Sequence, residues 1–422
     1  MQDSTPLLDE LAWRGLLHQH TEGLAEALAT RSISVYCGFD PTASSMHVGN
    51  LVPVMGLMHL QRAGHKPFAV VGGGTGLIGD PSGKTVERQL NTVETVEENS
   101  RALREQLERF LDFTGPAAAE MRNNADWLRP LGAIEFMRDI GKHFTVNYML
   151  QKESVQQRMD AGISYTEFSY MLLQAYDYRE LFRRDGVTLQ VGGSDQWGNI
   201  TAGLELIRRT EGGEAHALTF PLVTNSSGTK FGKTESGNVW LDPERTSPYQ
   251  FYQFWINVDD RDAARYLRFF TLLSRQAIEE LEREMAERPQ DRAVQHALAD
   301  EVTTRVHGAA AARIAADVSK LLFAKGDPAS LSIEGLEALS REVPFIEMPQ
   351  PGNVVDGLVA LGLAASKGAA RRLVEQGGAS VNGRRIGGVA DPLGDPLRGS
   401  YYLLRKGAKD YGLIKAINVS LP

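Results

Sequence analysis

A single cysteine, Cys37, in 422 residues excludes an internal disulfide framework and any zinc site built from several thiolates. Histidine is sparse too, and none of the nine pairs with another at HxxxH or HExxH spacing. A histidine-based metal centre is therefore unsupported, and no metal site is expected in the chain. No stretch of about 18 apolar residues occurs, so no membrane-spanning helix is expected. The amino-terminal MQDSTPLLDELAWRG has neither the basic nor the apolar region of a secretion signal. A reducing, cytoplasmic compartment is the resulting expectation. Repeats and low-complexity tracts are missing, and 42% hydrophobic with 23% charged residues is an ordinary globular balance. Collagen-like, mucin-like and largely disordered chains are excluded.

Positive charge is outnumbered overall, 45 Lys and Arg against 53 Asp and Glu. The formal net charge of −8 argues, by itself, against a nucleic-acid partner. The distribution argues otherwise. Residues 351–422 hold ten Lys and Arg against five Asp and Glu, which leaves 35 against 48 for the rest. A basic tail on an acidic body points to an appendage that contacts RNA or DNA.

Residues 31–40 (RSISVYCGFD) place Ile33, Val35 and Cys37 at period two before a Gly and an Asp-Pro break, the pattern of a strand ending in a turn. Over 48–63, Leu51, Val54, Met55 and Met58 fall at helical spacing, with Gly64 as the stop. KPFAVVGGGTG reads as a second strand entering a glycine-rich loop, about 92–111 as a charged helix, and VTLQVGGSDQWGN as a third strand, loop and helix. This repetition predicts a parallel α/β sheet with ligands at its carboxyl edge. From 247 the pattern turns helical, and Asp327-Pro328 and 344–353 read as connectors. The last unit reads as two short helices, a Gly-Gly stop, a strand and an Asn382-Gly383 hairpin turn.

Two phosphate-binding motifs nearly fit GGGTGLIGDPSGKT. Gly74, Gly76 and Gly79 satisfy GxGxxG after a strand, but Asp80-Pro81-Ser82-Gly83 prolongs the loop where a dinucleotide site opens a helix. SGKT at 82–85 lacks the first glycine of a P-loop, since position 78 is Ile. Both readings are rejected, which leaves glycines that let backbones pass closely.

CGFDPTASSMHVGN lies between a strand and a helix, and GTKFGKTESGNVW lies nearly 200 residues later. Together they resemble the two signature sequences of class I aminoacyl-tRNA synthetases. Met46-His47-Val48-Gly49-Asn50 is similar to the HIGH element, and Lys230-Phe231-Gly232-Lys233-Thr234 to the KMSKS loop. YTEFSYMLLQAYDY and QVGGSDQWGNITAGLELIRR resemble the bacterial tyrosyl-tRNA synthetases in particular, and the basic tail resembles their S4-type domain. The resemblance implies an α/β fold with a Rossmann-like parallel-sheet catalytic domain over 1–246. A helical anticodon-side domain (247–322), a linker (323–352) and a small α+β S4-like RNA-binding domain (353–418) follow. The implied activity is ATP-dependent joining of L-tyrosine to tRNA(Tyr) by a homodimer, with no tightly bound cofactor and with magnesium accompanying ATP.

The implied catalytic residues are Thr42, His47, Lys230, Lys233 and Thr234. Such donors suit the reaction: an anionic carboxylate attacks phosphorus, so positioning and cationic stabilisation matter more than a base. ATP contacts are implied for Cys37, Gly38, Asp40, His47, Gly49, Asn50, Gly193, Asp195, Lys230 and Lys233. Tyr36 and Asp177 are implied at the substrate phenol, where one donates and the other accepts. Asp80, Tyr170 and Gln174 are implied at the ammonium, and Gln190 and Gln196 near the carboxylate. Tyr170, Gln174 and Asp177 share one helix face; taken alone, Tyr170 reads as core. Asn50 stands where the family has histidine, and Pro53 removes one backbone donor near a helix start. In the tail, Lys367, Arg371 and Arg372 mark a basic helix face, followed by Arg384 and Arg385, as candidate RNA contacts. A tryptophanyl relative, an oxidoreductase and a non-catalytic RNA-binding paralogue are the alternatives. The Tyr36/Asp177 pair, the basic tail and the lysine loop disfavour them.

Overall fold

The computed structural model describes residues 6–82, 90–159, 162–228, 231–234, 237–324, 326–349 and 351–417. Six strands build the first sheet: β1 (Gln19–His20), β2 (Ser34–Phe39), β3 (Lys66–Val71), β4 (Glu120–Asn123), β5 (Val187–Gly193) and β6 (His216–Phe220). Their order is β1-β6-β5-β2-β3-β4, and only the edge pair β1–β6 is antiparallel. The chain runs outward from β2 to β4 and then returns to β5 on the other side of β2. The order thus reverses between β2 and β5, and a crevice opens at the carboxyl ends of these strands.

Parallel strands covered on both faces lose clean alternation. Val35 and Tyr36 point to opposite faces, yet they are 0% and 1% exposed. The helix Leu51–Arg62 was expected to show one apolar stripe; nine of its twelve residues are buried instead. Its Gly56 lies against Phe220 of β6, where an added Cβ would fall 2.0 Å from the ring. Pro53 occupies the third position of this helix, where the backbone N–H has no intrahelical acceptor in any case. Helices Tyr165–Asp185 and Trp197–Thr210 pack along each other and against β5. The first is capped by Ser164, which accepts from the Glu167 N–H, and ends at Gly186 with φ 65°. After β3 a short 3-10 turn, Thr75–Leu77, leads to Gly79 at φ 84°. No α-helix opens within Gly74–Gly79, so the dinucleotide requirement is unmet. Residues 83–85 of the P-loop-like SGKT lie outside the described residues.

Contacts divide the chain into two units: one runs up to Thr246 and includes Asn257–Val306, and the other joins Ser247–Ile256 to the residues from His307 on. The helical stretch 247–322 is therefore shared between units. Helix Pro248–Ile256, with Phe251 and Trp255 buried, packs on Ala309–Phe323, whereas Asp260–Phe270 packs on Leu51–Arg62.

The second unit carries β9 (Phe345–Met348), β10 (Ala379–Val381), β11 (Arg384–Arg385), β12 (Tyr401–Lys406) and β13 (Asp410–Ala416), in the order β11-β10-β12-β13-β9. Helices Val354–Ala360 and Lys367–Glu375 cover one face through Val354, Leu358 and Val374, against Val381, Leu404 and Ile414. Asn382 (φ 50°) and Gly383 (φ 83°) make the β10–β11 turn as expected. The stretch 323–352, read as a linker, instead holds the helix Ile333–Ser340 and β9, which pairs in parallel with β13. Its four strand residues are all at least partly exposed, so no apolar alternation announces them.

Candidate active site

The crevice between β2 and β5 is a cleft of about 740 Å³ lined by residues of the first unit, Phe231, Asn238 and Trp240 of the second signature among them. β2 and the turn after it bring Tyr36, Cys37, Gly38, Asp40 and Thr42; the following turn brings His47, Gly49 and Asn50. The glycine loop contributes Asp80, and one face of Tyr165–Asp185 contributes Tyr170, Gln174 and Asp177. β5 and its extension supply Gln190, Gly193, Asp195 and Gln196. These sixteen candidates from the sequence thus meet in one cleft.

His47 caps the 3-10 turn Val48–Asn50. Its Nδ1 accepts from the Gly49 N–H at 3.0 Å, while Asn50 Oδ1 accepts from the His47 N–H at 3.0 Å. This reciprocal cap fixes the imidazole tautomer and leaves its proton on Nε2. It also explains Gly49, where an added Cβ would fall 2.7 Å from the His47 ring. At Gly38, by contrast, an added Cβ meets nothing within 4 Å, so the space above the strand end is open.

Asp177 is 4% exposed and accepts from Asn124 Nδ2 at 2.8 Å and Trp127 Nε1 at 2.7 Å. Burial nevertheless pushes its carboxyl up to about 7, against the pull of those two donors. Beside it the Tyr36 hydroxyl is buried and has no hydrogen-bond partner among the described residues. Burial, with the Asp177 charge, holds the Tyr36 phenol well above its usual range, so it stays a donor. Asp40 accepts from the Tyr170 hydroxyl at 2.8 Å and from Thr75 Oγ1 at 2.7 Å. Asp80 accepts from Gln196 Nε2 at 2.7 Å, and Asn199 Nδ2 donates to Gln174 Oε1 at 3.0 Å. Gln190 is buried, with its Oε1 unpartnered among the described residues. Burial pushes the Cys37 thiol up to about 12, which removes it as a nucleophile.

The second signature reaches the first through backbone. Val48 N–H donates to Val239 O at 3.0 Å, and Leu241 N–H donates to Met46 O at 2.9 Å. Gly232 (φ 82°) lies against Val48, and an added Cβ there would fall 2.6 Å from Val48 Cγ2. Phe231 anchors the loop between Tyr266 and Phe270, with ring centroids at 4.8 and 5.0 Å. Lys233 is exposed on β7 (Lys233–Thr234), which pairs with β8 (Gly237–Asn238), and is not one of the residues lining the cleft. Lys230 and the Thr234 side chain lie outside the described residues.

Thr75, Asn124, Trp127 and Asn199 are site residues that the sequence reading passed over. The signal available was Asn-Asn-Ala-Asp-Trp at 123–127, a polar run at the carboxyl end of β4. In the second unit, Lys367, Arg371, Arg372, Arg384 and Arg385 are all exposed. Lys367 pairs with Asp356 at 2.8 Å, Arg384 donates to Pro392 O, and Arg385 Nε donates to Gly377 O at 2.9 Å.

Among the described residues, no group of three His, Cys, Asp or Glu could hold a metal ion, and no helix is long and apolar enough to cross a membrane. Residues 28–324 match the family model for class I tRNA synthetases of the W and Y type, and 335–414 match the tyrosine–tRNA ligase SYY-like C-terminal domain. A tyrosine–tRNA ligase of Bacillus caldotenax is 54% identical over 97% of this chain and 99% of its own length. One of Roseiflexus castenholzii is 52% identical over 98% and 100%. A C-terminally truncated mitochondrial tyrosyl-tRNA synthetase of Aspergillus nidulans superposes with a TM-score of 0.70 at 29% identity, covering 76% of this chain and 95% of that one. A cleft at the strand-order reversal, two signatures joined by backbone pairing, and identity above one half along nearly the whole chain agree: the chain belongs to the tyrosine–tRNA ligase family of class I aminoacyl-tRNA synthetases.

Proposed function

We propose that the cleft activates L-tyrosine with ATP to give tyrosyl-adenylate and pyrophosphate, then transfers tyrosine to the 3′-terminal ribose of tRNA(Tyr). The observation that carries the choice of amino acid is the buried, unpartnered Tyr36 hydroxyl beside Asp177. A substrate phenol answers both groups: its oxygen accepts from Tyr36 and its hydrogen goes to ionised Asp177. Phenylalanine would leave the Tyr36 hydroxyl unpaired and bring no hydrogen to Asp177, so Asp177 would keep only Asn124 and Trp127. Asp80, Tyr170 and Gln174 receive the ammonium, and Gln190 and Gln196 flank the carboxylate.

One carboxylate oxygen attacks the α-phosphorus, and the bond to pyrophosphate breaks. The nucleophile is already anionic, so the chain supplies donors where charge grows. His47 Nε2–H, Thr42 and the lysines of the second signature, Lys230 and Lys233, take that role, with Thr234 in the same loop. Ribose and adenine lie along Cys37, Gly38, Asp40, Gly49, Asn50, Gly193 and Asp195; the open space at Gly38 supports this path. In the second step a ribose hydroxyl oxygen attacks the tyrosyl carbonyl and AMP leaves. Magnesium enters on the phosphates of ATP, as part of the substrate.

The exposed basic groups Lys367, Arg371, Arg372, Arg384 and Arg385 suit contact with an RNA backbone. A homodimer is supported by exposed Ile134 (72%), Met137 (50%), Val146 (61%), Met159 (49%) and Tyr165 (74%), large apolar groups within one short stretch. The cytoplasm, where tRNA is charged, is the proposed compartment.

Tyrosine-dependent exchange of labelled pyrophosphate into ATP tests the reading; no exchange with tyrosine, or equal exchange with tryptophan, would overturn it. In the same assay Lys233→Ala should lower kcat by ~10²-fold or more with little change in the KM for tyrosine. An unchanged kcat would remove Lys233 from the reaction.

A further inference from the structure

Gly72, Gly73, Gly74 and Thr75 follow β3 into the cleft, and the activation chemistry assigns them nothing. Thr75 and Asn124 are each 2% exposed and lie between two carboxylates of the site. Asn124 Oδ1 accepts from the Gly74 N–H at 2.7 Å, which fixes the orientation of its carboxamide. Its Nδ2 then donates to Thr75 Oγ1 at 2.9 Å and to Asp177 Oδ2 at 2.8 Å, which uses both hydrogens. Thr75, having accepted from Asn124, has one hydrogen of its own, and that goes to Asp40 Oδ1 at 2.7 Å. Tyr170 closes one end on Asp40 and Trp127 the other on Asp177. Each donor in this chain has one assignment.

The three glycines now have a reason. A Cβ on Gly72 would fall 2.1 Å from Asp40 Oδ1 and 2.5 Å from Thr75 Oγ1, inside the bond it would have to leave intact. On Gly73 it would fall 2.3 Å from Asn123 Oδ1, and on Gly74 2.9 Å from Leu128. Gly72 lets the loop backbone pass close to Asp40, and Gly73 and Gly74 let it pass close to Asn123 and Leu128.

We propose that Thr75 and Asn124 are positioning residues that tie Asp40, and through it Tyr170, to Asp177, so that the ammonium end and the phenol end of the amino acid are held by one hydrogen-bonded unit. The proposal rests on the reading of this cleft as the tyrosine site. Its consequence is that a change at Thr75 is felt at Asp177, although no bond joins them directly. Bonds that share a network are non-additive when cut.

The test is tyrosine-dependent pyrophosphate exchange by the full chain carrying Thr75→Val, Thr75→Ser, Trp127→Phe, or Thr75→Val with Trp127→Phe. Thr75→Val keeps the shape and removes the hydroxyl; kcat/KM for tyrosine should fall ~10-fold, mainly through KM. Thr75→Ser should stay within ~3-fold of the unaltered chain. Thr75→Val and Trp127→Phe touch different carboxylates, yet the double variant should lose ~3-fold or more less than the product of the single losses. Three results each overturn the proposal: an unaffected Thr75→Val, a serine variant as damaged as the valine one, or losses that multiply. Should Thr75→Val fail to fold, Thr75→Ala carries the same comparisons. Exchange by the unaltered chain is read first: its absence sinks the tyrosine reading, whereas its presence leaves the Thr75 result to decide the network alone.

Discussion

Two influences pull the Asp177 proton in opposite directions. Donors Asn124 and Trp127 favour the carboxylate, while burial favours the acid and prevails, lifting the group from 3.8 to about 7. Between those values the native chain holds a proton that the unfolded chain lacks. This contribution to stability is complete below 3.8 and is lost as pH rises through about 7. Urea denaturation of the ligand-free chain at several pH values, beside Asp177→Asn, isolates it: the variant should lose that part of the decline. Tyrosine binding runs the other way, since the phenol donates to the ionised form, and affinity should rise as pH passes 7. At this scale Tyr36, Tyr170 and Asp177 came from the family resemblance, and their types suit a phenol and an ammonium, whereas Asp40 was placed with ATP. Thr75, Asn124 and Trp127 were not legible. They act on other side chains and not on substrate, and their partners lie about 35 to 53 positions away, beyond any local spacing.

Among elements, the junction of the two signatures is the most exacting. Gly232 combines positive φ with an approach to Val48 that leaves no room for a Cβ. Gly232→Ala should cost ~1–2 kcal/mol at the loop and lower kcat, while tyrosine binding by equilibrium dialysis stays unchanged. Loss of tyrosine affinity would show that the loop supports the pocket as well. Strand, glycine loop and helix were readable here because turn residues punctuate them. What failed was β9: Phe345–Met348 is short, half exposed and flanked by prolines, and only its partner β13 makes it a strand. The helix Leu51–Arg62 was placed correctly but its burial was underestimated, since a helix covered on all sides hides its inner face in a general apolar excess.

For the whole molecule, a net charge of −8 describes neither part. The cleft is lined by the first unit alone, and the basic excess belongs to 351–422. Because β9 pairs with β13, a cut at 353 would strand it; a cut at 342 removes the sheet of the second unit whole. Removing 343–422 should abolish tRNA charging and spare pyrophosphate exchange, and loss of both in a folded chain would contradict a separable RNA-binding part. The backbone pairing of 46–48 with 239–241 also orders events during synthesis. Every residue assigned to tyrosine has been made by Gln196, whereas the backbone pairing that seats the lysine loop is complete only at Leu241. At ~5–20 residues per second, a nascent chain holds the last residue assigned to tyrosine roughly 2–9 s before it holds the backbone that seats the lysine loop.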